Sequence, residues 1–392
     1  MNNFEFYSPT RFVFGKGAEE KIGSLIKVNG GSKVLLHFGG GSVKRNGVYD
    51  KVVASLEAVG LSFIPFGGVR PNPRSGLVRE GIALCRKEGV DFVLAVGGGS
   101  VIDSAKAIAF GTLYDGDFAD RYVGKEVKCQ PHIEKALPIG TVLTIAAAGS
   151  EGSGNSIITV EETGRKLSAK SECLRPRFSI MNPEFTYALP KYQIACGAVD
   201  MFAHLAERYF TPTKDVNVSD ELCEGLMRAV VSAGSKAVED PTDYAARSDL
   251  MWAGTLAHND VCGVGRAQDW ASHGIEHELS AMYDVAHGAG LAVVMPAWMD
   301  YVKNADISRF ARFAAKVWNV SAADEKSMAD AGISGFRAWV KSLGMPTTLT
   351  ELGCNPKDIP ILAANLRLGE NKLGSFLPLA EKDVEKILES VV

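Results

Sequence analysis

Two rhythms divide this chain and predict its fold class: an α/β domain built on a parallel sheet over residues 1–188, then an all-α domain over 189–392. In the first half, short apolar runs alternate with helix-like stretches, the pattern of strands joined by helical crossovers. In the second half helical periodicity is nearly unbroken, and no convincing strand interrupts it.

The elements follow in order. SKVLLHFGG reads as a buried strand ending in a glycine turn, DFVLAVGGGS repeats that pattern, and KALPIGTV resembles a third strand. Between and after them, VYDKVVASLEAVG, VREGIALCRKEG and SVIDSAKAIAFG carry helical spacing. SIITVEETG and RFSIMNPE are expected to add short strands at the domain's edge. The boundary falls near TYALPKY, where Pro190 can open a helix. Beyond it KYQIACGAVDMFAHLAERYF, VSDELCEGLMRAVVSAGSKAVE, YAARSDLMWAGTLAHND and ISRFARFAAKVW all read as helices. There is no repeat and no long linker, so the two domains are expected to pack closely around an active-site cleft.

Composition excludes several classes. With 42 Lys and Arg against 46 Asp and Glu, the net charge of −4 points to neither nucleic acid nor an acidic membrane. No apolar run is long enough to span a bilayer, and MNNFEFYSPTRFVFG lacks a signal-peptide pattern. The seven cysteines (Cys85, Cys129, Cys173, Cys196, Cys223, Cys262, Cys354) are dispersed and form no CxxC pair. They fit a reducing cytoplasm and default to buried packing roles.

Chemistry concentrates in one region. Five of the seven histidines (His204, His258, His273, His277, His287) lie there. Asp200 and His204 are four apart, so on a helix both project from one face. His273 and His277 repeat that spacing in WASHGIEHELSAM. His287 lies fourteen residues beyond His273, about 21 Å along a straight helix and too far to share an ion. The chain is therefore expected to turn at Tyr283 and Asp284, with Asp284 capping the N-terminus of the next helix. Asp200, His204, His273 and His287 would then supply one carboxylate and three imidazoles, a set suited to a divalent first-row metal with room for a substrate oxygen. His258 and Trp270 nearby are read as packing residues.

Two strands run into glycines and then a helix: HFGGGSVKRNG, with Gly39, Gly40, Gly41 and Ser42, and AVGGGSVIDSAKAIA, with Gly97, Gly98, Gly99 and Ser100. Neither matches GxGxxG or a P-loop. Both can bring backbone N–H groups and a helix N-terminus to a phosphate. Asp103 and Lys106 follow the second turn at helical spacing, suited to ribose contact or packing. An acidic residue at the end of the first strand would bind the adenosine ribose and repel a 2′-phosphate. Glycines stand there instead, followed by Ser42, Lys44 and Arg45, so NADP(H) is expected over NAD(H).

In combination these motifs resemble the iron-containing (group III) alcohol dehydrogenase family over nearly the whole chain. FYSPTRFVFGKGA is similar to its N-terminal strand segment, PNPRSGLVREG to its PNP motif, GGGSVIDSAKAIA to its pyrophosphate loop, TVLTIAAAGSE to its nicotinamide-side strand and EETGRKLS to its lysine loop. GGGSVKRNG is most similar to the NADPH-preferring, butanol-dehydrogenase-like subgroup. The chain departs at Ala148, where many members carry threonine, and at Ser153, where subgroup members often have asparagine.

The resemblance implies a Rossmann-like sheet domain and a helical domain, the architecture shared with dehydroquinate synthase. It implies cofactor contacts at Gly40, Gly41, Ser42, Asn72, Gly98, Gly99, Ser100, Asp103, Thr141, Thr144 and Lys166. It also implies the metal quartet, usually holding Fe²⁺ with Zn²⁺ in close relatives, and a homodimer. His277 matches a further histidine beside the metal, suited to proton relay. The expected activity is hydride transfer between NADP(H) and a small aldehyde or primary alcohol. A lactaldehyde, diol or glycerol dehydrogenase-like enzyme using NAD(H) is the alternative; glycerol dehydrogenase and dehydroquinate synthase share the architecture, and the glycine turn and the Asp/His/His/His set argue against both.

Overall fold

The computed structural model describes residues 1–124, 127 and 131–392; Cys129 lies outside them. The chain forms two compact units, Tyr7–Leu189 and Pro190–Val392, with Met1–Phe6 belonging to the second. Asn2 N–H donates to Gly265 O at 2.8 Å, which ties that N-terminal segment to the helical unit.

In the first unit β1 (Arg11–Phe14) and α1 (Ile22–Val28) precede β2 (Lys33–Gly39), α2 (Ser42–Arg45), α3 (Val48–Glu57) and β3 (Ser62–Val69). There follow α4 (Ser75–Glu88), β4 (Phe92–Gly97), α5 (Gly99–Leu113), β5 (Ile139–Leu143), β6 (Asn155–Val160), β7 (Arg165–Lys170) and β8 (Phe178–Met181). Six strands form one sheet in the order β1-β8-β5-β4-β2-β3, and every pairing is parallel.

The strand alternation decides which helices cover which face. Val34, Leu36 and Phe38 of β2, with Phe92, Leu94 and Val96 of β4, pack against Ile22 and Ile26 of α1 and Val48, Val52 and Leu56 of α3. His37 points to the opposite face, where its Nε2 lies 2.9 Å from Ser104 Oγ on α5.

From β2 the chain crosses outward to β3, returns to β4 on the other side of β2, then leaves the opposite way to β5. The carboxyl ends of β2 and β4 therefore flank a topological switch point, the place where open parallel sheets bind ligands. Both GGGS turns lie there.

Two strand expectations are corrected. RFSIMNPE gives an interior strand: β8 lies between β1 and β5, with all four residues buried, and β1 takes the edge. A four-residue run carries too little alternation to show whether one face or both are covered. SIITVEETG gives β6, which leaves the main sheet and pairs antiparallel with β7 as a separate hairpin.

The second unit is helical: α6 (Lys191–Tyr209), α7 (Asn217–Glu239), α8 (Tyr244–His258), α9 (Ala271–Tyr283), α10 (His287–Val302), α11 (Ile307–Trp318), α12 (Glu325–Ser342), α13 (Ile359–Asn365) and α14 (Glu381–Glu389). Pro190 stands at the N-cap of α6, where its carbonyl accepts from Gln193 and Ile194. From Ile194 onward α6 is buried all round, as a central helix must be. A Rossmann-like parallel sheet followed by a helical unit is the architecture the two rhythms predict. No helix among the described residues is long and apolar enough to cross a membrane.

Candidate metal centre and cofactor turns

Three helices bring the four metal-ligand candidates together. Asp200 and His204 sit one turn apart on α6 and His273 on α9, while His287 is the first residue of α10. The turn between α9 and α10 differs from expectation. Asp284 does not cap α10; it ends α9 in the left-handed conformation (φ 54°), its N–H donating to Ser280 O at 3.0 Å. Ala286 caps α10 instead. Aspartate tolerates the left-handed region as well as the N-cap, so its presence marks a turn without choosing between the two.

The Nε2 atoms of His204, His273 and His287 lie 3.7, 3.8 and 3.6 Å from the same atom, Asp200 Oδ1. Four donors placed tetrahedrally around a metal at roughly 2.1 Å are about 3.4 Å apart, close to this spacing. Asp200 Oδ1 and His273 Nε2 are buried and make no hydrogen bond. Buried polar atoms are normally partnered, so two orphans aimed at one point fit a shared cation. Burial alone would push the Asp200 carboxyl up, but the imidazoles of His204, His287 and His273 outweigh it and hold the group below its ordinary range. Burial drives His204 well below the usual histidine range, keeping it in the neutral form that ligates metals.

Behind this set lie groups the sequence did not reveal. Glu207 Oε1 accepts from His273 Nδ1 at 3.1 Å and His273 N at 3.0 Å, and its Oε2 accepts from Trp270 N at 2.7 Å. Glu276 accepts from His287 Nδ1 and from Ser280 Oγ. Both glutamates are fully buried. The signal available was spacing: Glu207 and Glu276 each follow a ligand histidine by three residues, on the same helix face. His258 and Trp270 pack on the centre, their rings 4.3 and 5.9 Å from that of His204. Arg208 stacks on Trp270 at 4.6 Å. The ring of His277, one turn beyond His273, lies 5.6 Å from that of His287.

Eight of the eleven cofactor candidates gather at the carboxyl ends of the sheet strands in the first unit. Gly40, Gly41 and Ser42 follow β2; Gly98, Gly99 and Ser100 follow β4; Asn72 follows β3 in the left-handed region (φ 53°); Thr144 follows β5, its N–H donating to Gly97 O at 3.0 Å. The second turn is crowded: a Cβ on Gly97 would lie 2.5 Å from Val101, and one on Gly98 2.8 Å from Ile145.

Asp103 is tied inward, accepting from Ser150 Oγ at 2.5 Å and Ile157 N at 3.1 Å. Lys106, completely buried, donates to the oxygens of Ser150, Ser153 and Asn155 and anchors the segment after β5. Thr141 points into the sheet, its hydroxyl donating to Ser179 Oγ at 2.8 Å. Lys166 stands on the β6–β7 hairpin opposite Thr159.

Comparison with known proteins identifies the family. The model of the iron-containing alcohol dehydrogenases matches residues 9–183, and that of the Fe-containing alcohol dehydrogenase C-terminal domain matches 194–392. The chain belongs to the iron-containing alcohol dehydrogenase family. It is 40% identical to NADH-dependent butanol dehydrogenase A of Clostridium acetobutylicum over 99% of both chains. It is 37% identical to an NADPH-dependent aldehyde reductase of Escherichia coli over 95% of this chain and 96% of that one. The crystal structure of NADH-dependent butanol dehydrogenase A from Thermotoga maritima superposes with a TM-score of 0.95 at 43% identity, covering 100% of this chain and 99% of that one. Membership in this family implies a metal and a nicotinamide cofactor, and the donor set on α6, α9 and α10 is chemically suited to the first.

Proposed function

We propose that this protein is a metal-dependent alcohol dehydrogenase that passes a hydride between NADP(H) and a small aliphatic aldehyde or primary alcohol of the butanol type. The observation that carries the reading is the convergence of three imidazole Nε2 atoms on Asp200 Oδ1. Asp200, His204, His273 and His287 would hold a divalent cation, Fe²⁺ by preference and Zn²⁺ as the substitute. Such a cation supplies Lewis acidity toward a carbonyl or alkoxide oxygen, and the nicotinamide supplies the hydride.

The chain's own groups do the rest. Burial of Asp200, His204 and His273 limits competing water at the centre. His277 moves the proton between the substrate hydroxyl and solvent. The N-terminus of α5 and the GGGS turns take the pyrophosphate, and the neighbouring cofactor contacts are Asn72, Asp103, Thr141, Thr144 and Lys166.

NADP(H) is favoured because no acidic side chain follows β2. Gly40 is exposed and open, with nothing within 4 Å of an added Cβ. The neighbouring Lys44 ammonium is held over the Phe38 and Tyr49 rings at 5.0 and 4.9 Å. The competing reading is NAD(H) with a diol or lactaldehyde; its cofactor half draws support from the butanol dehydrogenases named for NADH. The proposal includes a homodimer working in the cytoplasm.

The test is NADPH oxidation with butanal on metal-stripped protein, with Fe²⁺ or Zn²⁺ restored and NADH run in parallel. Metal-dependent turnover favouring NADPH supports the reading. Full turnover without metal refutes the mechanism, and equal or better use of NADH refutes the cofactor preference.

A further inference from the structure

We infer that Glu207 and Glu276 are positioning residues that fix the tautomer and aim of two of the three imidazoles, His273 and His287, so that their Nε2 lone pairs point at the cation position beside Asp200. The inference rests on the metal reading above.

An imidazole ligates through one nitrogen only if its proton is kept on the other. At His273 and His287 the Nδ1 atom faces a completely buried carboxylate, Glu207 and Glu276 respectively. An ionised carboxylate only accepts, so the proton sits on Nδ1 and Nε2 is left bare. That matches the buried, unpartnered Nε2 of His273. The two glutamates are themselves held. Glu207 also takes the N–H groups of Trp270 and His273, pinning the first turn of α9 to α6, and Glu276 takes the Ser280 hydroxyl.

Glu276 further depends on Gly290 of α10, where a Cβ would lie 2.7 Å from its Cγ. His204 provides the contrast within the same centre. Its Nδ1 is buried without a hydrogen bond, and its ring is instead held between those of His258 and His273, at 4.3 and 4.7 Å. The carboxylates thus serve the two ligands on α9 and α10, the helices that must be brought to α6. They also add negative charge behind the imidazoles, which makes each nitrogen a better donor.

The experiment uses the full chain and two probe ions, Zn²⁺ titrated against a chelator and Co²⁺ followed by its ligand-field absorption. Glu276→Ala is expected to weaken Zn²⁺ binding roughly 10- to 100-fold and to change the Co²⁺ spectrum, with Glu276→Gln, which can still accept from Nδ1, recovering part of the loss. Glu207→Gln is expected to weaken Zn²⁺ binding in the same direction. A merely structural glutamate would lower the melting temperature of the metal-free protein and leave Zn²⁺ affinity and the Co²⁺ spectrum of the folded protein unchanged, which would overturn the inference.

A measurement on the wild type removes dependence on how the variants fold. Long-range ¹H–¹⁵N correlations in the Zn²⁺ form should show His273 and His287 protonated at Nδ1, and a proton on Nε2 of both would overturn the inference. If the wild type binds neither ion, the metal reading itself fails. If it binds both and the variants match it, only the positioning role fails.

Discussion

Replacing Gly288 with alanine tests whether helix approach, as much as ligand identity, makes the metal centre. Gly288 follows His287 at the start of α10, and a Cβ there would lie 2.0 Å from Cys196 O and 2.6 Å from Cys196 C on α6. Ordinary contact begins near 3.4 Å, and both obstructing atoms are backbone, so no rotamer change relieves the clash. The helices must separate locally by about 1.4 Å.

Cys196 lies one turn before Asp200, so the same movement opens the 3.6 Å separation of His287 Nε2 from Asp200 Oδ1. Metal sites hold their ligands to within about 0.2 Å, and a displacement several times larger removes His287 from the set. Overpacking of this kind costs about 1–3 kcal/mol. For a unit of this size that is a fall of roughly 2–12 °C in melting temperature. Calorimetry on metal-free protein measures the first effect, and Zn²⁺ competition against a chelator measures the second, expected to be at least tenfold (about 1.4 kcal/mol). A Gly288→Ala protein with wild-type melting and wild-type Zn²⁺ affinity would refute the argument that backbone contact between α6 and α10 sets the ligand spacing.

Four further outcomes are expected. His273→Ala should lose both bound metal and turnover, whereas His277→Ala should keep the metal and lower turnover; metal analysis beside steady-state rates separates them, and loss of metal in both would remove His277 from the relay. Gly40→Asp should fold normally, because an added Cβ there meets nothing within 4 Å, and should shift the NADPH-to-NADH ratio of kcat/KM toward NADH by roughly 10- to 100-fold through charge repulsion; an unchanged ratio would show that the turn does not face the 2′-phosphate. Chelation should lower the melting temperature of metal-loaded protein by an amount that grows with the logarithm of ion concentration over Kd and is worth about 2.7 kcal/mol at a hundredfold excess; a temperature indifferent to the ion would contradict metal binding at this site. Burial depresses the His37 imidazole to about 4, so between pH 6.5 and 4 the unfolded chain binds a proton the folded chain refuses, and stability falls as pH falls through that window by up to roughly 3 kcal/mol; urea midpoints of wild type and His37→Gln that fall in parallel would refute it.

How much of this was legible beforehand depends on the range of the interaction. The alternation of apolar runs and helices exposes the parallel sheet because each strand's burial is written in its own residues. That Asp200, His204, His273 and His287 could meet was legible because the halves of the set are local: Asp200 with His204 on one helix, and His273 with His287 on either side of a forced turn. What decides the rest is tertiary. Glu207 and Glu276 are not singled out in the sequence, because only the packing of α6, α9 and α10 buries them behind the histidines. β8 reads as an edge strand until β1 covers its other side. The sequence also does not show that the Thr141 hydroxyl donates to Ser179 inside the sheet, a pairing between two separate strands.

The glycines beside the ligands carry information that only the packing makes readable. His273 and His287 are each followed directly by glycine, and each of those positions is a close approach. A Cβ on Gly274 would meet Leu373 at 2.8 Å, and one on Gly288 would strike the α6 backbone. Gly290, one turn into α10, leaves the space that Glu276 occupies. A helix pays a conformational penalty of up to about 1 kcal/mol for each interior glycine, so three such residues around one centre run against helix propensity. The offsetting gain is proximity: without side chains at Gly288 and Gly290, α10 can lie against α6 and α9 closely enough for imidazoles from separate helices to meet one aspartate oxygen, while Gly274 makes room for Leu373. Gly288 and Gly290 therefore belong with Asp200, His204, His273 and His287 in one sequence pattern, because they set the distance at which those four side chains can meet.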